Sequence, residues 1–92
     1  MTTSNNQLES KFKNACNMVK TLPKKPDDDT LLYLYGLYKQ ATYGQCDTDE
    51  PIGLFKNKEK LKWNAWKKMT LIDKDQAISL YIHAVNELFS NV

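Results

Sequence analysis

In the stretch YGLYKQATYG, three side chains are spaced so that they could do chemistry together. Tyr35, Tyr38 and Lys39 stand at i, i+3 and i+4, so a helix brings two phenols and an ammonium onto one face. Lys39, one turn after Tyr35, could act with the phenols on a phosphate. A third tyrosine, Tyr81, belongs to another apolar stripe near the end of the chain. Aromatic residues at helical spacing also make ordinary core. Tyrosine instead of Phe or Leu at all three positions then requires hydroxyl partners. Two readings stand, a polar-edged core and the wall of an anion site.

The stretch KNKEKLKWNAWKK, from Lys56 to Lys68, holds six lysines, one glutamate and two tryptophans. Most of these lysines read as a solvated face over a buried tryptophan. On a helical wheel Leu61, Ala65, Trp66 and Met69 fall within about 140°. Lys62 lies inside that arc, and Lys58 joins it if the helix starts early enough, whereas Lys56, Lys60 and Lys67 lie opposite. A lysine among apolar residues costs free energy unless its ammonium reaches water or an anion. Snorkelling to the surface is one outcome; reaching an anionic ligand across a groove is the other. Lys20, one turn after Cys16, would by itself read as an exposed lysine.

Composition narrows the classes. All thirteen basic residues are lysine and the formal net charge is +2. A domain that reads bases or forks onto phosphates usually carries arginine, for its bidentate guanidinium. The acidic patches DDD and DTDE would also repel a nucleic-acid backbone. The start, MTTSNNQLES, lacks the apolar core of a secretory signal, and no apolar run approaches the roughly 20 residues that span a bilayer. Cys16 and Cys46 are therefore expected to be reduced thiols in the cytoplasm. The single histidine, His83, has no pattern linking it to either cysteine, so neither a catalytic pair nor a zinc site is expected. No cofactor is called for.

The elements that must position these residues follow from periodicity. Gly and Pro number three each and cluster between apolar segments, the pattern of a small all-helical protein. Leu8, Phe12, Ala15, Val19 and Leu22 form a first stripe that stops at LPKKP. The acids of DDDT then suit the positive end of a second helix, which runs to about Tyr43 and ends on Gly44. That helix is apolar on two sides, with Leu31, Tyr35, Tyr38 and Thr42 in one row and Leu34, Leu37 and Ala41 in another. A third helix is expected over 57–69. The last starts at Asp73, which with Gln76 makes a capping box, and carries Ala77, Tyr81, Ala84 and Leu88, flanked by Leu80 and Val85. The expected fold is an all-α four-helix bundle in one domain, 1–92, with residues 1–6 a loose N-terminal extension.

YGLYKQATYG, then KWNAW (Lys62 to Trp66), then AISLYI (Ala77 to Ile82) together resemble the acyl-CoA-binding protein family. The family pattern is Tyr-x-x-Tyr-Lys-Gln-Ala-Thr-x-Gly, then Lys-Trp-x-Ala-Trp, then an alanine and a tyrosine four apart. The blocks occur in that order, and the likeness also covers Phe12 through Lys20. It implies an up-down-down-up bundle that binds medium- to long-chain fatty acyl-CoA without covalent chemistry. Carried over by position, the ligand residues would be Lys20, Tyr35, Tyr38, Lys39, Lys62 and Tyr81. Lys39 and Lys62 would approach the 3′-phosphate with Tyr35 close by, while Tyr38 and Lys20 frame the adenine. Tyr81 would touch the nucleotide side, and Leu31 and Leu32 the acyl path.

Three positions depart from the pattern. One extra residue between Pro51 and Trp63 leaves both Lys56 and Lys58 matching an upstream lysine. Leu71 stands where a turn glycine is frequent, and Cys16 where alanine is frequent. The resemblance implies a non-enzymatic carrier and pool former, monomeric and cytoplasmic. Its partners would be acyl-CoA-using enzymes and, in transient contact, membranes. The alternative is a small helical module for protein or nucleic-acid interaction, in which the three tyrosines are simply core. An acyl-CoA hydrolase or transferase is disfavoured because no nucleophile–base pair is visible.

Overall fold

The computed structural model describes residues 2–90, with side chains from Gln7 to Ser90. Helix α1 spans Thr2–Met18, α2 Asp28–Tyr43, α3 Asn57–Lys67 and α4 Lys74–Ser90. Short 3-10 turns, Val19–Thr21 and Lys68–Leu71, finish α1 and α3. The described residues include no strand. The backbone is already helical at Thr2, within the segment that the sequence reads as a loose N-terminal extension.

The helix ends are set by short-range chemistry. The Asp27 carboxylate accepts the Thr30 N–H at 2.8 Å, capping α2, and Asp28 and Asp29 follow in its first turn. Hydrogen bonding with Thr30 holds the Asp27 carboxyl below its ordinary pKa. Gly44, at φ +80°, closes α2 by donating its N–H to the Gln40 carbonyl at 2.9 Å. At α4 the capping box is reciprocal: Gln76 N–H donates to Asp73 at 2.8 Å, and Asp73 N–H to Gln76 at 2.9 Å. The third helix stops at Lys67, short of the expected Met69, because its last turn tightens into the 3-10 form. Leu71 sits exposed at the end of that turn, with no left-handed backbone.

The core joins Phe12 and Ala15 of α1, Leu34, Leu37 and Ala41 of α2, and Ala77, Ile78, Tyr81 and Val85 of α4. Helix α2 lies between α3 and α4, and α1 packs on α4. The order of contacts gives the directions. Tyr35 meets Lys62, and the Gly44 carbonyl accepts from Trp66 Nε1 at 2.8 Å, so α2 and α3 run the same way. The Phe12 ring meets Tyr81, and Leu8 and Glu9 share a cavity with Lys74 and Asp75, so α1 and α4 also run together. Ala41 shares that cavity with Ile78 while Tyr38 faces Tyr81, which makes α2 antiparallel to α4. The topology is therefore up-down-down-up.

Two contacts fix α3 and the α3–α4 turn on α2. Gly36 lies so close to Ala65 that an added Cβ would stand 2.8 Å from the Ala65 carbonyl carbon and 3.2 Å from Met69 Cε. Gln40, fully buried, donates Nε2 to the Ile72 carbonyl at 2.8 Å, while its Oε1 has no protein partner. Since α3 packs chiefly on α2, its buried arc is narrower than the wheel suggests. Ala65 and Trp66 are buried and Met69 half-buried, but Leu61 is exposed. No described helix is long and apolar enough to cross a membrane.

Candidate functional site

On the α2–α3 side, two lysines rest on aromatic rings. Lys62 Nζ lies 5.4 Å from the centre of the Tyr35 ring. Lys39 Nζ lies 4.1 Å from the Tyr43 ring and 4.8 Å from that of Trp66. Attraction to the ring faces holds each ammonium without neutralising it, so both stay available to an anion. Tyr35 is half-buried, and burial, with Cys46 and Tyr43 nearby, raises the pKa of its phenol. Leu31, one turn before Tyr35 on the same face, and Leu32 are both half-buried.

On the α1–α4 side an aromatic cluster forms around Phe12. Tyr38 stacks on Phe12 at 5.9 Å, Tyr81 meets Phe12 edge-on at 5.2 Å, and the two tyrosine rings are 6.4 Å apart. Their exposures differ sharply. Tyr81 is 5% exposed and belongs to the core, whereas Tyr38 is 41% exposed and offers a ring face to solvent. The buried Tyr81 hydroxyl has the Cys16 thiol as a polar neighbour. Burial raises the pKa of both groups; Tyr81 and the nearby Lys20 offset part of the rise at Cys16. A thiol held protonated in this way is the reverse of an activated nucleophile.

A cavity of about 800 Å³ opens between α1, α2 and the start of α4, with Phe12, Cys16, Tyr38, Ala41 and Ile78 among its walls. Tyr35, Lys39 and Lys62 are not among them. The sequence-selected residues thus fall into two groups, joined through α2. Tyr35, Lys39 and Lys62 gather against α3; Tyr38, Tyr81, Cys16 and Lys20 gather against α1 and α4. Exposed Lys20 stands in the 3-10 turn after α1. Lys56 and Lys58 are both exposed at the start of α3.

Tyr43, Trp66 and Phe12 escaped the sequence selection as neighbours of these residues. Tyr43 was findable, because it stands at i+4 from Lys39. The placing of Trp66 and Phe12 depends on helix packing that no local spacing encodes. Chemically, the arrangement offers two cations, an exposed ring face and apolar walls.

The chain matches the family described as Acyl CoA binding protein over residues 9–85. It is 46% identical over 82 residues to the "Acyl-CoA-binding protein" of Gossypium hirsutum, an alignment covering 89% of this chain and 91% of that one. Against the "Acyl-CoA-binding protein" of Brassica napus it is 44% identical over 81 residues, covering 88% and 87% respectively. The fold superposes on the crystal structure of Oryza sativa Acyl-CoA-Binding Protein 2 with a TM-score of 0.89 at 38% identity, across 96% of this chain and 95% of that one. A second likeness is to the crystal structure of ACBP from Moniliophthora perniciosa, with a TM-score of 0.82 at 36% identity, over 90% and 81%. Sequence over most of the chain and the course of all four helices agree: this chain belongs to the acyl-CoA-binding protein family.

Proposed function

We propose that this protein binds medium- to long-chain fatty acyl-CoA without chemical change and carries it as a cytoplasmic, monomeric pool former. The observation that carries the reading is the pair of ammonium groups, Lys39 and Lys62, held on rings at the α2–α3 seam. In this reading both meet the 3′-phosphate of the nucleotide beside Tyr35. Tyr38 offers its exposed ring face to the adenine with Lys20 alongside, and Tyr81 supports that ring from the core. Leu31 and Leu32 begin the path of the acyl chain.

Energies divide between the two ends of the ligand. Burying a methylene is worth roughly 0.8 kcal/mol, so a palmitoyl chain supplies on the order of 10 kcal/mol before ordering costs. The chain sets affinity, and charge-assisted bonds to the phosphate select CoA esters over free fatty acids. Acyl-CoA-using enzymes would receive the cargo.

The test is a calorimetric titration with palmitoyl-CoA and with its 3′-dephospho form. Tight binding that weakens by about 2 kcal/mol without the phosphate is expected. Equal binding of both forms removes the roles given to Lys39 and Lys62, and failure to bind either ends the carrier reading.

A further inference from the structure

Three large apolar side chains near the start of α3 are used by nothing in the fold. Ile52, Leu54 and Phe55 are 81%, 88% and 93% exposed, and none joins the core. A lone exposed leucine is ordinary, but three within four residues make a patch. The backbone itself holds them outward. Gly53, at φ +127°, opens a turn closed by the Lys56 N–H donating to the Gly53 carbonyl at 3.4 Å. Leu54 and Phe55 are the two residues at its tip.

The charges directly behind that tip run against helix chemistry. Helix α2 begins as the dipole prefers, with a capping aspartate and two more acids. Helix α3 begins the opposite way. Its N-cap position is Lys56, with no side-chain cap, and Lys58 and Lys60 follow with Glu59 the only acid in the first turn. Cations at the positive end of a helix cost stability, so this collar is not explained by folding. In the preceding loop, Trp63 Nε1 donates to the Thr48 carbonyl at 3.0 Å, which ties that residue to the body of α3.

We propose that the Gly53–Lys56 turn is a docking tip for anionic lipid bilayers. Leu54 and Phe55 enter the interfacial layer, and Lys56, Lys58 and Lys60 face the negative headgroups. Neither signal is strong alone; an apolar insertion and a basic patch together give reversible binding. Docking does not require acyl-CoA, so it stands or falls separately from the carrier reading.

The experiment is co-sedimentation of the ligand-free full chain with vesicles of phosphatidylcholine, with and without phosphatidylserine. Binding is expected to need the phosphatidylserine and to fall as salt rises. The double substitution L54S/F55S should lower it about tenfold or more, as should K56Q/K58Q/K60Q. Leu71→Ser, at the exposed leucine beyond the far end of α3, should change it less than about twofold. Circular dichroism confirms that each variant is folded. The proposal is overturned if the unaltered chain ignores anionic vesicles, or if L54S/F55S binds them undiminished. Undiminished vesicle binding together with weakened palmitoyl-CoA affinity in L54S/F55S would give the tip to the ligand instead.

Discussion

The ammonium of Lys62 on α3 lies 5.4 Å from the ring centre of Tyr35 on α2, a contact across two helices that run side by side. Lys62 is exposed, so this position holds it near the seam without burying its charge. Substituting Lys62→Met should keep the aliphatic packing and remove the cation. Affinity for palmitoyl-CoA should fall about tenfold or more, while affinity for the 3′-dephospho form should barely move. Calorimetry with the two ligands distinguishes the outcomes, and an equal loss for both would separate Lys62 from the 3′-phosphate.

Gly36 faces the Ala65 backbone with no room for a methyl group. Gly36→Ala gains helix propensity on α2 but forces α3 outward, and the second effect should win. A net loss of about 1–3 kcal/mol is expected in urea denaturation. Stability equal to or above that of the original chain would show that the seam yields.

Tyr81 predicts an alkaline limit. Burial favours the neutral phenol in the folded chain, raising its pKa well above the ordinary value of about 10. Deprotonation is then easier in the unfolded chain, so stability is complete below about pH 10 and declines as pH rises beyond it. Melting temperatures across that range should drop more steeply for the unaltered chain than for Tyr81→Phe. Parallel curves would assign the decline to other groups.

At the acid end, Asp27 acts in the opposite sense. Its carboxyl has a lowered pKa because the ionised form caps α2. The stability it adds is present above the ordinary carboxylate range and is lost as pH falls through its own lowered value. Asp27→Asn, which can still accept a bond at the cap, should flatten the acid limb of a stability–pH curve. An unchanged limb would mean that other carboxylates set it.

How much of this was legible in sequence depends on the range of each signal. The acids at the start of α2, the capping box at Asp73, the stop at Gly44 and the breaks at Pro23 and Pro26 act over a few residues, and local chemistry revealed them; that Asp27 is the capping residue came from the structure. Tyr35, Tyr38 and Lys39 came from spacing within one helix, and Lys62 from a wheel. Long-range consequences were hidden. The wheel placed Leu61 in a buried arc because it carries no information about how many neighbours α3 has. Nor could spacing show that Tyr81 would be core and Tyr38 a surface ring, since both sit on apolar stripes. Lys39 resting on Trp66 required the parallel course of α2 and α3, which no segment encodes alone.

The bare contact between Gly36 and Ala65 has a further consequence. With no side chain to compress between them, α2 and α3 meet at a set gauge, and a close-packed seam does not widen at small cost. The two ammonium groups that straddle the seam, Lys39 from α2 over Trp66 and Lys62 from α3 over Tyr35, are therefore held apart by one stiff spacer and not by two helices free to drift.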